Sequence, residues 1–348
     1  MSASHNVAAS IVVVNLNGVS LLPGLLASLA AQTVRDFELI LVDNGSTDGS
    51  LRLLEGTANG LPFPLHVIRN TANAGFGPAS NQGLQLANAG WIAMLNNDAR
   101  PEPAWLERLL DTTERMPRLG MVGSKMLRAH RPGEIDTAGI AVDWAGIAWD
   151  WRGGAADDPG ERDLTEIFGP CGGAALYARA MLDEIGAFDG DFFAYLEDVD
   201  LAWRARLAGW QACLQPQARA LHAHSATLGD ASPRKRFLLG RNKVWLLVKN
   251  YPNPWLVRNL PLILAYDALA VGYGLATRGD LAAWRGRMAG WAALPRFLAK
   301  RRRIQSTWQD VDNWRRAMSP VEPPWAIPRR YAHLRGAPLQ PQTGAPPL

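Results

Sequence analysis

The sequence predicts an α/β fold: a doubly wound, mostly parallel sheet flanked by helices, with a basic helical extension at the C-terminal end. Three observations carry this. Apolar, β-branched runs recur at Ser10–Asn15, Phe37–Val42, Leu65–Ile68 and Trp91–Leu95, with helical segments between them. Three of these runs end in polar clusters, Asn15–Asn17, Asp43–Ser46 and Asn96–Asp98. The composition then changes after Tyr251-Pro252.

Each element has its own signal. SIVVVN at Ser10–Asn15 is the pattern of a strand covered on both faces. Pro23 opens a helical segment running from Leu25 to Ala31. FELILV is a second buried strand, closed by Asp43-Asn44-Gly45-Ser46, and a helix continues through Leu51–Leu54. Leu65–Ile68 is a third strand, Gly77–Ala89 a helix, and WIAML a fourth strand. Strand and helix alternating through short loops imply parallel βαβ units. In such sheets ligands sit beyond the carboxyl ends of the strands, where the three polar clusters fall. Residues 130–168 are less regular and read as strands and loops. Ala178–Ile185 and Leu201–Leu207 are helical, the latter stopped by Gly209.

The chain has 348 residues, of which 48% are hydrophobic and 20% charged. That excludes a disordered or collagen-like chain. With only Cys171 and Cys213, neither a disulfide framework nor a cysteine zinc site can be built, so a reducing compartment is expected. Ala8–Asn15 has no basic segment before it and reads as a strand, not a signal peptide. The net charge of +4 hides an asymmetry. Residues 241–348 hold 17 basic and 5 acidic side chains, and residues 1–240 hold 19 and 27. Seven of the 14 tryptophans also follow residue 240. A basic, Trp-rich segment points to an anionic membrane surface, with nucleic acid the weaker candidate.

Within that segment, Asn259–Thr277 is near the length of a membrane span, but Asp267 and Pro261 argue against a clean crossing. Trp284, Met288, Trp291 and Leu298 fall on one helical stripe with Arg285, Arg287, Arg296 and Lys300 around it. That suits a helix lying in a membrane interface, or one that packs against a domain or a second copy in a homodimer. Pro338–Leu348 is Pro-rich and expected to be disordered. The division is therefore a sheet domain at 1–250, a helical extension at 251–335 and a tail at 336–348.

Several residues could carry chemistry. Asp43 is either a turn cap or a carboxylate that meets a base or ribose. The stretch Asn73–Gly83 has three glycines and lets backbone approach something flat or anionic, or else packs as a tight loop. Asp98 is a solvated turn acid or a ligand for a hard cation bridging diphosphate oxygens. Glu197-Asp198-Val-Asp200 crowds three acids into four residues. Helix capping and an Asp200–Arg204 pair account for one or two of them. A remaining acid with a raised pKa suits a general base. His222-Ala-His224 follows a strand-like segment and is either structural or ligating. No G-x-G-x-x-G follows the first strand, and neither a P-loop nor a G-x-S-x-G elbow is present. No H-E-x-x-H supports a zinc hydrolase, and Asn15–Gly24 lacks the basic residue a nucleotidyltransferase would want there.

Six blocks over about residues 8–250 resemble the family 2 glycosyltransferases of GT-A fold, in particular rhamnosyltransferase-like enzymes of polysaccharide assembly. They are SIVVVNLNG (10–18), FELILVDNGSTDGS (37–50), NAGFGPASNQGL (73–84), LNNDARPEP (95–103), CGGAALYARAMLDEIGAFDGDFFAYLEDVDLAWRARLAG (171–209) and LHAHSAT (221–227). The resemblance implies a GT-A sheet and a nucleoside-diphosphate sugar donor bound by Asn15, Asn17, Asp43, Asn44, Gly75, Phe76, Asn81, Asn97 and Arg241. It implies Mg2+ or Mn2+ held by Asp98 and His222, with His224 as the fallback, although Asn96 replaces the first acid of the family's D-x-D motif. It makes Asp198 the base, supported by Glu197 and Asp200, in an inverting transfer to a saccharide or lipid-linked acceptor at the cytoplasmic face of the membrane. A catalytically silent sugar-nucleotide-binding scaffold is the alternative.

Overall fold

The structure is a computed structural model that describes residues 7–223, 232–306, 308 and 311–327. It opens with β1 (Ala9–Asn15), α1 (Leu22–Ala30), β2 (Phe37–Asp43), α2 (Ser50–Thr57), β3 (Leu65–Arg69), α3 (Phe76–Leu86) and β4 (Trp91–Asn96). The four strands pair in parallel in the order 3-2-1-4. Every residue of β2 is buried, including Glu38, whose carboxylate accepts from the Ser10 hydroxyl at 2.6 Å. Leu22, Leu25, Leu26 and Leu29 of α1 seal one face of the sheet. The parallel register brings Asn15 beside Asp43 and Val14 beside Asn96, so the polar clusters meet along one edge.

Beyond β4 the sheet is mixed. Next come β5 (Ala99–Pro101), α4 (Trp105–Leu110), β6 (Leu119–Arg128), β7 (Arg131–Thr137), β8 (Ile140–Val142) and β9 (Ala148–Asp150). They are followed by β10 (Thr165–Glu166), β11 (Ala174–Ala178), α5 (Arg179–Ile185), α6 (Glu197–Leu207) and β12 (Gln211–His222). β11 lies antiparallel between β4 and β6. β12 runs parallel to β6 and antiparallel to β5 and β10. A parallel neighbour needs a crossover of a dozen or more residues, usually helical, and the short α4 is the one helix between β4 and β11. Residues 130–168, irregular in sequence, supply the short strands β7 to β10.

The C-terminal part is α7 (Pro233–Asn250), α8 (Trp255–Arg278), α9 (Ala282–Ala292), α10 (Leu294–Gln305) and α11 (Val311–Arg316). Ser232 caps α7 by accepting from the Lys235 N–H at 3.1 Å, with Pro233 in the first turn. α9 crosses α7 at Gly286, where a Cβ would sit 2.1 Å from the Phe237 carbonyl oxygen. Trp245 of α7 stacks on Phe297 of α10 with centroids 4.5 Å apart. Trp314 of α11 is fully buried against Trp203 of α6. These helices therefore share one core with the sheet. The expected stripe is divided: Trp284, Met288 and Trp291 lie on α9 and Leu298 on α10, all four exposed. The chain breaks at Ala293 because Pro295 can start a helix but cannot continue one. The tail from residue 328 onward, and His224, lie outside the described residues.

Candidate active site

The rim of the parallel strands holds a polar network. Asn15 donates through Nδ2 to Asp43 Oδ2 at 3.1 Å, and its Oδ1 accepts from Asn97 Nδ2 at 2.9 Å. The other Asp43 oxygen accepts from the Ser46 N–H at 2.9 Å. Asn17, in the left-handed region at φ 51°, accepts the Thr47 N–H at 2.9 Å. The Asn44 side chain is used in full on the loop that follows β3. Its Nδ2 donates to Asn73 Oδ1, and its Oδ1 accepts from Asn70 and from the Ala74 N–H. Asn44 therefore positions the Gly75 turn, and Asn15, Asp43 and Asn97 line the rim itself.

Gly75, at φ 96°, leads into α3, and a Cβ there would lie 2.6 Å from the Phe193 carbonyl oxygen. The Phe76 N–H donates to that oxygen at 2.6 Å. The Phe76 ring edge lies 3.7 Å from where a Cβ on Gly172 would stand. Asn81 binds both backbone groups of Phe188, donating to its carbonyl at 2.7 Å and accepting its N–H at 3.0 Å. Asn81 thus braces the Phe188 backbone, and its amide keeps one N–H and one lone pair beyond these two bonds. Arg241 also turns to this segment: it donates to the Phe192 carbonyl at 2.9 Å and stacks over Trp245 at 4.2 Å. Those contacts fasten the loop before α6 through Nε and Nη2 of Arg241.

The second cluster forms where β12 meets β5. His222 pairs in register with Ala99, and the Ala223 N–H donates to the Asp98 carbonyl at 3.1 Å. This sets His222 Nε2 3.1 Å from Asp98 Oδ1, while Nδ1 lies 2.7 Å from Asp136 Oδ2. Burial opposes charge on the imidazole, but the hydrogen bonds to Asp136 and Asp98 outweigh it and push His222 up to about 10. Once His222 gives up its proton, Nε2 and the Asp98 carboxylate 3.1 Å away form a ligand pair that would suit a divalent cation. One ring nitrogen is fixed by a carboxylate and the other faces a second carboxylate, the arrangement that orients metal-binding histidines. Among the described residues no group of three or more His, Cys, Asp or Glu is placed to hold a metal. Asp98 and His222 would thus be the two protein ligands, with diphosphate oxygens and water completing the shell. Asn96 Nδ2 lies 3.4 Å from His222 Nε2, so the amide that replaces the motif's first acid borders this pair.

The third cluster is the first turn of α6. Phe193, Tyr195 and Leu196 have φ of 66°, 71° and 67°, a strained approach for side chains with a Cβ. Asn242 offsets this by donating Nδ2 to the carbonyls of Phe192, Ala194 and Tyr195 at 3.0, 2.9 and 2.7 Å. The acids then separate into roles. Asp200 is fully buried and binds Arg204 and Lys249 at 3.0 and 2.8 Å. Burial alone would raise it, but Lys249 and Arg204 hold it below the ordinary carboxylate range. Glu197 has no such partner; burial, then the neighbouring Asp198 and Asp200, push it up to about 8, and its Oε2 has no hydrogen bond. Asp198 is raised by burial, against the opposing N–H groups of Gly172 and Val199, which donate to its two oxygens at 3.1 and 2.8 Å.

The loop Cys171–Gly173 joins these clusters. Gly172 touches Asp198, and a Cβ on Gly173 would lie 3.0 Å from Asn96 Nδ2. The Cys171 thiol is pushed well up by burial and by Asp150, Asp198 and Asp136 around it. Asp198 therefore borders this loop directly, and the Asp98–His222 pair stands one residue further off, behind Asn96. Sequence reasoning missed Asp136 and the bracing role of Asn242. The alternation of Glu134 and Asp136 about Ile135 was the only available sign of Asp136, since it marks an acidic face on a strand.

Comparison with known proteins gives the family and the fold. Residues 10–186 match the model of "Glycosyl transferase family 2". The chain is 30% identical over 234 residues to the N-acetylglucosaminyl-diphospho-decaprenol L-rhamnosyltransferase of Mycobacterium tuberculosis, covering 60% of this chain and 74% of that protein. It is 42% identical over 89 residues to a PGL/p-HBAD biosynthesis glycosyltransferase of Mycobacterium bovis, covering 26% and 34%. Two solved structures share the fold. The mannosyltransferase PcManGT of Pyrobaculum calidifontis, in complex with GDP-Man and Mn2+, has TM-score 0.52 at 18% identity, covering 87% of this chain and 86% of that one. TarS 1-349 of S. aureus has TM-score 0.55 at 16% identity, covering 92% and 91%. The rim of the sheet, the Asp98–His222 pair and the acidic start of α6 thus stand in a glycosyltransferase, and the chain belongs to glycosyl transferase family 2.

Proposed function

We propose that this glycosyltransferase transfers one sugar from a nucleoside-diphosphate donor to a lipid-linked saccharide, with inversion and with Mg2+ or Mn2+ as cofactor. The observation that carries this reading is the loop Cys171–Gly173, which borders Asp198 on one side and Asn96, beside the Asp98–His222 pair, on the other. Rhamnose carried on dTDP is the leading donor, supported by the likeness to the mycobacterial rhamnosyltransferase. That protein's name also supports a polyprenyl-diphosphate saccharide as acceptor.

The chain's residues divide the chemistry. Asn15, Asp43 and Asn97 form the rim against which the nucleoside rests, with Asn17 beside them. Asp98 and His222 hold the cation, which when bound draws charge from the diphosphate leaving group. Asp198 accepts the proton of the acceptor hydroxyl as that oxygen attacks the anomeric carbon and the bond to the diphosphate breaks. Its raised pKa suits a base, and the N–H groups of Gly172 and Val199 fix its direction. Glu197, neutral near pH 7, spares Asp198 a second charge beside it. In this reading the enzyme works at the cytoplasmic face of the membrane. α8 is long and apolar enough to cross a bilayer, with mean hydropathy 1.4 and little burial. Its Asp267, however, is bound to Lys243 of α7 and Arg287 of α9. A helix fastened at mid-length to the protein body lies along the bilayer surface and does not thread it.

The test is Asp198→Asn. Turnover with Mn2+ falls by at least about a thousandfold, while calorimetry shows donor binding within a few-fold of the unmodified protein. Retained turnover would remove Asp198 from the base role. Turnover that does not respond to chelation of divalent ions would remove the cation.

A further inference from the structure

A second cleft lies away from the sheet rim, where α8, α11 and the loop after β8 meet. Two adjoining cavities of about 350 and 300 Å³ share Trp144 and Arg315. Trp255, Arg258 and Asn259 of the first α8 turns line one, and Asp312 and Arg316 of α11 line the other. The Trp144 and Trp255 rings stand 5.8 Å apart at the base. The guanidinium groups of Arg258 and Arg315 lie over the Trp255 ring, 5.3 and 4.3 Å from its centroid. Asp312 pairs with Arg315 at 3.0 Å, and Arg315 Nε is enclosed with no acceptor. Three guanidinium groups against one carboxylate leave the lining with excess positive charge. Guanidinium planes held on indoles are preorganised for bidentate contact with phosphate oxygens.

Beyond the cleft α8 stays exposed: Leu269 and Tyr273 fall on the side of Trp255 and Arg258, and Leu260, Leu264 and Leu275 on the other, all between 39% and 52% exposed. A cationic cleft at the foot of an apolar helix has the polarity of a phosphorylated lipid, head to cleft and chain to helix. We propose that this cleft binds a phosphate in the head of a lipid whose chain lies along α8. The proposal rests on the lipid-linked acceptor named above and adds the place where its phosphate is held.

The experiment uses the full chain and co-sedimentation with phosphatidylcholine vesicles, with and without a small molar fraction of polyprenyl phosphate. Polyprenyl phosphate tightens binding, and Arg258→Gln combined with Arg315→Gln loses about tenfold of that gain, the size expected for lost charge-assisted contacts. Arg303→Gln, which removes an exposed charge on α10, keeps the gain. Arg258→Lys and Arg315→Lys, which keep the charge without the planar fork, lose part of it while melting as the unmodified protein does. The proposal is overturned if polyprenyl phosphate adds nothing, or if Arg303→Gln loses as much as the cleft variants. Full competition by millimolar inorganic phosphate or pyrophosphate would also overturn it, by showing a site for free phosphate. Donor hydrolysis by the unmodified chain is read separately. Its absence sinks the transferase reading whatever the vesicles show, and its presence beside phosphate-independent binding sinks only the cleft.

Discussion

Glu197 and Asp198 are consecutive acids that meet burial in different ways. Asp198 keeps two backbone N–H partners, and Glu197 gives up its charge. The consequence for stability has a definite sign. In the unfolded chain Glu197 titrates near its ordinary value of 4.5, and in the fold near 8. Between those values the unfolded state has released a proton that the folded state retains, so stability falls as pH rises through this window. Below it the cost is absent, and above it the cost is constant. Glu197→Gln cannot titrate, so its stability relative to the native sequence should rise from about pH 5 to about pH 8, by up to about 4 kcal/mol. Denaturant midpoints measured across that range check this, and parallel curves for the two proteins would mean that Glu197 is ionised in the fold. The same variant keeps a neutral neighbour beside Asp198, so its rate should match the native rate near pH 7 and exceed it above about pH 8, where Glu197 ionises.

At the scale of elements, α7 acts on the active site without entering it. Asn242 sits on that helix and satisfies three carbonyls of the turn that aims α6. Asn242→Ala should leave those groups without donors and release a turn with three departures from ordinary backbone in four residues, at about 2–4 kcal/mol. Lower melting together with a turnover loss larger than the change in donor affinity is the expected pattern; a melting loss with turnover intact would make the turn purely structural. The parts legible in the sequence were the local ones. The strands of the parallel half announce themselves by unbroken apolar runs, and Asp43, Asp98 and His222 by ending strands. The Asp200–Arg204 pair follows from helical spacing and forms as expected. The bracing roles of Asn44, Asn81, Asn242 and Arg241 were not legible, because their partners, backbone groups for the most part, lie 26 to 107 residues away. Nor was the strained turn, since Phe193, Tyr195 and Leu196 carry none of the glycine that normally marks positive φ. Asp136 escaped because β7 has too few alternating positions to stand out.

The whole molecule is asymmetric in charge and in exposure, and both point the same way. The excess of basic residues after residue 240 is partly spent within the fold, as Lys249 on Asp189 and Asp200 and Lys300 on Asp189 and Asp191 show. Arg278, Arg285, Arg302 and Arg303 remain exposed around the apolar α8 and the tryptophans of α9, and Arg296, also exposed, pairs with Asp191. A surface of this kind binds a bilayer in two ways that salt separates. Attraction of arginines to anionic headgroups is screened within about 8–10 Å at physiological ionic strength, whereas apolar burial survives added salt. Binding to phosphatidylglycerol vesicles should therefore fall steeply with salt and then level off at a residue carried by α8. Leu264 and Leu269 are 48% and 52% exposed, so Leu264→Gln with Leu269→Gln should leave melting within about 1 kcal/mol of the native value. The same change removes side chains worth roughly 1.5–3 kcal/mol each when buried in hydrocarbon. The double variant should keep the salt-sensitive part and lose the plateau. A plateau unchanged in the variant would mean that α8 faces something other than lipid, and a second copy of the chain, read out as concentration-dependent mass by light scattering, would then account for its exposed leucines.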